Sequence, residues 1–127
     1  MSNRQAFVNP ARGHNVPFSD SVLVGDTLYL SGCIGWNTDT KSIPQDFAEE
    51  CRQLLKNIGA NLKDAGFEHG DVVKALAFIT DFTLFDEWNR VYVEFFSPPF
   101  PARSTVGVSS LALGARLEVE MIAIRRK

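Results

Sequence analysis

Asp71-Val72-Val73-Lys74-Ala75-Leu76-Ala77-Phe78-Ile79-Thr80 is apolar on both of its alternations, with Val73, Ala75, Ala77 and Ile79 on one and Val72, Leu76 and Phe78 on the other. Successive side chains of a strand point to opposite faces of its sheet, so this run reads as a central strand covered on both sides. The flanking sequence must supply the cover. Upstream, Phe47, Cys51, Leu54, Leu55, Ile58, Leu62 and Ala65 recur at steps of three and four, one apolar stripe of a helix opened by Pro44 and stopped by Gly66. Glu49, Glu50, Arg52, Lys56 and Lys63 are expected on its wet face. Downstream, Phe85, Trp88, Tyr92, Phe95 and Phe96 mark a second helix, with Asp81 or Thr83 as N-cap.

Residues 22–30 hold two short apolar runs around Gly25-Asp26, a hairpin in which Gly accepts the positive φ of a tight turn, and Ser31-Gly32 is expected to close the second strand. Ser97-Pro98-Pro99-Phe100-Pro101 cannot be helix or central strand and reads as a stiff extended connection. Two last strands are expected at about 103–108 and 116–124, with a turn at Gly114 between them. The order β-β-α-β-α-β-β gives an α+β fold, a single domain over 1–127 with one mixed sheet and two helices on one face. The second face of the central strand then needs another cover. A further copy of the chain is the simplest, and the loops 7–20 and 31–44 are the alternative.

With 127 residues, 45% of them apolar and 22% charged, the chain has ordinary globular composition and room for one domain. A net charge of -2 gives no field to hold a polyanion, so nucleic acid is not implied. Two cysteines, Cys33 and Cys51, make no disulfide framework and are expected to be reduced; Cys33 reads as a small buried thiol, with a nucleophile as the alternative. Without an apolar segment behind Met1-Ser2-Asn3-Arg4-Gln5 or a run of membrane-spanning length, the expectation is a soluble cytoplasmic protein. His14 and His69 stand alone without ligand spacing, so no metal site is expected.

Leu117-Glu118-Val119-Glu120-Met121-Ile122-Ala123-Ile124 carries the sharpest chemical signal. Glu118 and Glu120 share a face with Ile122 and Ile124, and acidic groups on a face that turns apolar need an explanation. One is a solvated strand end or an ion pair to Arg116 or Arg103. The other is a half-buried carboxylate at a pocket rim, its pKa raised by desolvation. Arg103 sits where the proline-stiffened segment becomes a strand. A guanidinium held by stiff backbone suits two-point recognition of a carboxylate, although such a residue also reads as an ordinary surface arginine.

Pro101-Ala102-Arg103-Ser104-Thr105-Val106-Gly107-Val108, then Leu111 and the strand 117–124, resembles the C-terminal signature of the Rid/YjgF family of reactive intermediate deaminases, also called the endoribonuclease L-PSP family. The resemblance extends to Leu30-Ser31-Gly32, to Ala65-Gly66-Phe67 with Asp71-Val72-Val73-Lys74, and to Asn89-Arg90-Val91-Tyr92 with Phe95-Phe96. It covers nearly the whole chain in order.

This resemblance implies a chorismate-mutase-like fold assembling as a homotrimeric barrel, with active sites between subunits. It implies cofactor-free hydrolysis of 2-imino acids to 2-oxo acids and ammonia. Arg103 then matches the arginine that binds the substrate carboxylate, and Glu118 the glutamate that positions the attacking water. Ser31, Gly32 and Asn89 match pocket positions. Thr105 stands where many of these deaminases have cysteine, Phe18 where the best-known have tyrosine, and Cys33-Ile34-Gly35-Trp36 also departs from the usual wall. These departures leave open a different enamine substrate, such as 2-aminomuconate, or a non-catalytic metabolite-binding protein of the same fold. Some relatives have been described as ribonucleases, which the acidic balance here does not favour.

Overall fold

Hydrogen bonding joins six strands into one mixed sheet in the computed structural model, which describes residues 3–9 and 16–126. His14, weighed above, lies outside the described residues. The strands are β1 (Arg4–Phe7), β2 (Ser21–Val24), β3 (Thr27–Ile34), β4 (Val72–Ile79), β5 (Ala102–Gly107) and β6 (Leu117–Ile124), laid side by side as β1-β2-β3-β6-β4-β5. Only β4 and β5 run parallel, and every other pairing is antiparallel. Two helices, α1 (Phe47–Asp64) and α2 (Phe85–Phe95), follow β3 and β4.

The expected order therefore gains a leading strand. Arg4–Phe7 has three exposed residues of four and no apolar alternation, so no periodicity marked it; it pairs with β2 at the sheet edge. The hairpin turn is as read, with Gly25 at φ 60°. However, β3 does not close at Ser31-Gly32. It continues to Ile34 through a slip in register between Leu30 and Cys33.

Helix α1 begins later than Pro44 suggested, because the Asp46 side chain accepts a hydrogen bond from the Glu49 amide at 3.1 Å. It ends where Gly66 adopts φ 85°, a left-handed conformation that favours Gly. Its stripe of Leu54, Leu55, Ile58 and Leu62 is fully buried, each side chain contributing about 1.5–3 kcal/mol. Asp81 caps the short turn Phe82–Leu84 that leads into α2.

One residue assigned to the wet face of α1 is misplaced by that reading: Glu50 is 0% exposed. Its carboxylate accepts from Arg116 Nε at 2.7 Å and from the Arg116 amide at 2.8 Å, which ties α1 to the start of β6. Periodicity alone cannot find a buried charge whose partner lies 66 residues away. Glu50→Ala should cost about 3 kcal/mol, since it strands a guanidinium and an amide that now share one carboxylate. Urea denaturation of the two proteins measures it.

The central strand also differs from the simple alternation. A register shift between Val72 and Lys74 puts Val72 in the core and leaves Val73 43% exposed. Ala75, Ala77 and Ile79 lie beneath the helices with Leu117, Val119, Met121 and Ala123 of β6. On the opposite face Tyr29 is 50% exposed, Leu76, Phe78 and Ile122 are half-buried, and Val106 and Ile124 are exposed. Among the described residues both helices pack on one face, and the other leaves Tyr29, Val106 and Ile124 exposed.

Candidate active site

Arg103 is held by its strand and by α2. On β5 it lies opposite Ala75 of β4, so its side chain rises on the helix-covered face at the sheet's edge. The guanidinium carbon is 4.6 Å from the ring centre of Tyr92, 5.5 Å from Trp88 and 5.8 Å from Phe85. Nη2 donates to Asn89 Oδ1 at 2.5 Å. These partners come from one face of α2, because positions 85, 88, 89 and 92 are one helical turn or two apart. No acidic side chain pairs with Arg103 among the described residues. Burial pulls its pKa below the usual arginine range, opposed by Tyr92.

A cleft of about 380 Å³ opens at this point, lined by Arg103, Asn89, Tyr92, Val93, Phe100 and Pro101. The proline-rich segment before Arg103 thus forms a wall; its Pro98–Pro99 bond is cis. Thr105, two residues along β5, shares the face of Arg103, and its hydroxyl oxygen is buried without a hydrogen-bond partner.

Glu118 is elsewhere. It pairs with Phe78 of β4 and Ile34 of β3, on the open face of the sheet. It is half-buried and makes no ion pair or hydrogen bond among the described residues, so neither expected partner holds it; Arg116 is engaged by Glu50. Burial raises its pKa, and Glu120 raises it further. Of the two explanations offered by the strand pattern, the ion pair to Arg116 or Arg103 is absent among the described residues and the carboxylate is half-buried, but it lines neither cleft of the single chain.

Gly32 is the residue that makes room for Glu118. A Cβ at position 32 would collide with Glu118 Oε2 and crowd its Cδ at 3.0 Å. Gly32→Ala should therefore turn the carboxylate aside while the fold survives, because the clash is with the far end of a flexible side chain. A melting curve beside a crystal structure of the variant checks this.

Ser31 donates from Oγ to the Ser19 carbonyl at 2.6 Å and from its amide to Asp20 O at 2.9 Å. These bonds bind the segment carrying Phe18 to β3 beside Gly32. Phe18 itself is 52% exposed. Cys33, expected to be buried, is half-buried and accepts from Asn61 Nδ2 at 3.5 Å, whereas Cys51 is fully buried, its thiol pushed up to about 12 chiefly by desolvation.

The seven expected site residues thus fall into two groups. Arg103, Asn89 and Thr105 gather under α2, while Glu118, Gly32, Ser31 and Phe18 gather across the sheet. Within one chain the two groups do not meet. A larger cleft of about 510 Å³, bordered by Trp36, Lys41, Gln45, Leu113 and Arg116, offers less chemistry, since its guanidinium is consumed by Glu50 and by the carbonyls of Pro44 and Gln45. Among the described residues no cluster of three His, Cys, Asp or Glu could hold a metal ion, and no helix is long and apolar enough to cross a membrane.

The family model described as endoribonuclease L-PSP matches residues 10–125. A protein of Dermatophagoides farinae named 2-iminobutanoate/2-iminopropanoate deaminase is 44% identical over 109 residues, 85% of each chain. The crystal structure of the E. coli YjgF gene product superposes with a TM-score of 0.87 at 35% identity, covering 96% of this chain and 99% of that one. E. coli TdcF, solved with bound serine, gives 0.87 at 34%, covering 96% and 100%.

Proposed function

The chain belongs to the endoribonuclease L-PSP family, known also as Rid or YjgF, and on that premise we propose that it hydrolyses 2-imino acids to 2-oxo acids and ammonia. The observation that carries this reading is a guanidinium with no acidic partner among the described residues, partly desolvated at the mouth of a cleft. Such a group is complementary to a carboxylate, and its fork takes two oxygens at once. Relatives named as imine deaminases and a neighbour solved with an amino acid bound support the same class of ligand.

A protonated imine is already electrophilic, so orientation matters more than a strong nucleophile. In the proposed reaction Arg103 clamps the carboxylate and fixes the imine carbon. Glu118, ionised, accepts a proton from a water as its oxygen bonds to that carbon. The resulting tetrahedral carbon carries hydroxyl and amine; Glu118 returns the proton to nitrogen, the C–N bond breaks, and as the carbonyl forms the hydroxyl proton passes through Glu118 to the departing nitrogen, which leaves as ammonium. Atoms balance with one water consumed, and no cofactor enters.

Because Arg103 and Glu118 lie on opposite faces of one sheet, this mechanism needs Arg103 of one chain beside Glu118 of another. The apolar residues Tyr29, Phe78 and Ile122 on the face away from the helices support a homo-oligomer, and the family resemblance implies a trimer.

The test couples the protein to an amino acid oxidase or threonine dehydratase and follows decay of the imine. Acceleration by wild type and none by Arg103→Ala is expected. Decay no faster than in buffer would overturn the reading; binding of 2-oxobutanoate without turnover would point to a metabolite-binding protein. A panel including 2-aminomuconate locates the preferred substrate, for which Phe18 and Cys33 are the departures to watch.

A further inference from the structure

Arg103 does not reach its cleft unaided. Three aromatic rings, those of Phe85, Trp88 and Tyr92, stand within 4.6 to 5.8 Å of the guanidinium carbon. Trp88 and Tyr92 are themselves locked, edge to face at 5.2 Å, and Tyr92 stacks on Phe96 at 4.6 Å. Trp88 is 0% exposed, so this wall cannot yield. A long arginine side chain on an edge strand would otherwise sample many rotamers and lose that freedom on binding a ligand.

We infer that the α2 rings, with Tyr92 foremost, are positioning residues that hold the Arg103 guanidinium in the orientation its ligand requires. The inference rests on the reading of Arg103 as a carboxylate clamp and adds how that clamp is set. Asn89 occupies one N–H of Nη2, which leaves the remaining donors for the ligand. The Tyr92 hydroxyl and Trp88 Nε1 are buried with no hydrogen-bond partner, so the rings rather than their polar atoms make the contact. The faces carry the negative end of the aromatic quadrupole toward the cation.

Ring and hydroxyl can be separated at one position. Tyr92→Leu removes the ring and should raise KM for a 2-imino acid about tenfold, the order expected when a cation–π contact to a desolvated guanidinium is lost, with a smaller change in kcat. Tyr92→Phe keeps the ring and should restore KM to near the wild-type value. A structural defect alone would lower the active fraction, and so kcat, without moving KM. Should Tyr92→Leu fold poorly, Phe85→Leu at the half-buried rim serves instead, with KM expected to rise about threefold.

The measurements are steady-state kinetics on wild type, Arg103→Ala and these variants, calorimetric binding of 2-oxobutanoate, and a melting curve for each. A folded Tyr92→Leu or Phe85→Leu with wild-type KM overturns the inference, and so does a Tyr92→Phe as impaired as Tyr92→Leu. Those results leave the clamp intact as long as Arg103→Ala is inactive. If wild type binds but does not turn over, affinity replaces KM and the same pattern is expected. If it neither binds nor turns over, clamp and inference fall together.

Discussion

Arg103→Ala is expected to lower kcat/KM by about 30- to several-thousandfold in coupled assays of imine decay, the 2–5 kcal/mol associated with truncating one partner of a desolvated charge pair. The effect is large because nothing else in the cleft is cationic: its other walls are Asn89, Tyr92, Val93, Phe100 and Pro101. Arg103→Lys recovers little of the loss. An ammonium presents one point of charge, lacks the planar fork, and cannot reproduce the contact to Asn89 and the stacked position against Tyr92 together. Asn89→Asp is a milder probe of the same geometry. It places a carboxylate on Arg103 Nη2, where it competes with the ligand, and KM is expected to rise about tenfold.

Under the proposed mechanism Glu118→Gln is expected to lower kcat about 10²- to 10⁴-fold, the range for losing a positioned general base, and to leave ligand binding largely intact. Stability should move the other way. Burial and Glu120 raise the Glu118 pKa in the folded chain, so the folded state holds its proton more tightly than the unfolded one. This stabilising proton is fully present below the unfolded pKa and is lost as pH rises through the folded pKa. At neutral pH the ionised carboxylate therefore costs stability, and the neutral glutamine relieves it. Glu118→Gln is expected to melt slightly above wild type at pH 7 and no higher near pH 3, while being inactive. The proposed mechanism needs the ionised form, so the wild-type rate is expected to fall on acidification, at a higher pH than an unperturbed glutamate would give. Any residual rate in Glu118→Gln should lack that limb.

Much of the layout is legible in the chain. The two-sided apolar run of β4, the stripe of α1 and the aromatic stripe of α2 follow from periodicity, and the stops at Gly25 and Gly66 follow from backbone chemistry. Three features are hidden for physical reasons. Arg4–Phe7 forms an edge strand that buries almost nothing, so its sequence carries no pattern. Glu50 is buried by a partner remote in sequence. The swap of Val72 and Val73 stems from a register shift set by pairing to β6, which a single strand's alternation does not encode.

The site divides in the same manner. Strand position and charge mark Arg103 and Glu118 as candidates. Their placement on opposite faces emerges only once register is known, because Arg103 faces Ala75 whereas Glu118 faces Phe78, three residues along the same strand. The aromatic stripe of α2 reads as core from its spacing alone. Its second role, around a guanidinium, depends on β5 lying parallel to β4 at that register.

Subunit mixing tests the shared site most directly. Arg103→Ala and Glu118→Gln, each inactive alone, are co-expressed or refolded together at equal amounts and assayed for imine hydrolysis. If every site takes Arg103 from one protomer and Glu118 from its neighbour, about one quarter of the sites in random assemblies hold both intact residues and activity returns to that level. Activity that stays at the sum of the two parents, in mixtures shown to contain both chains, would contradict a site built between copies.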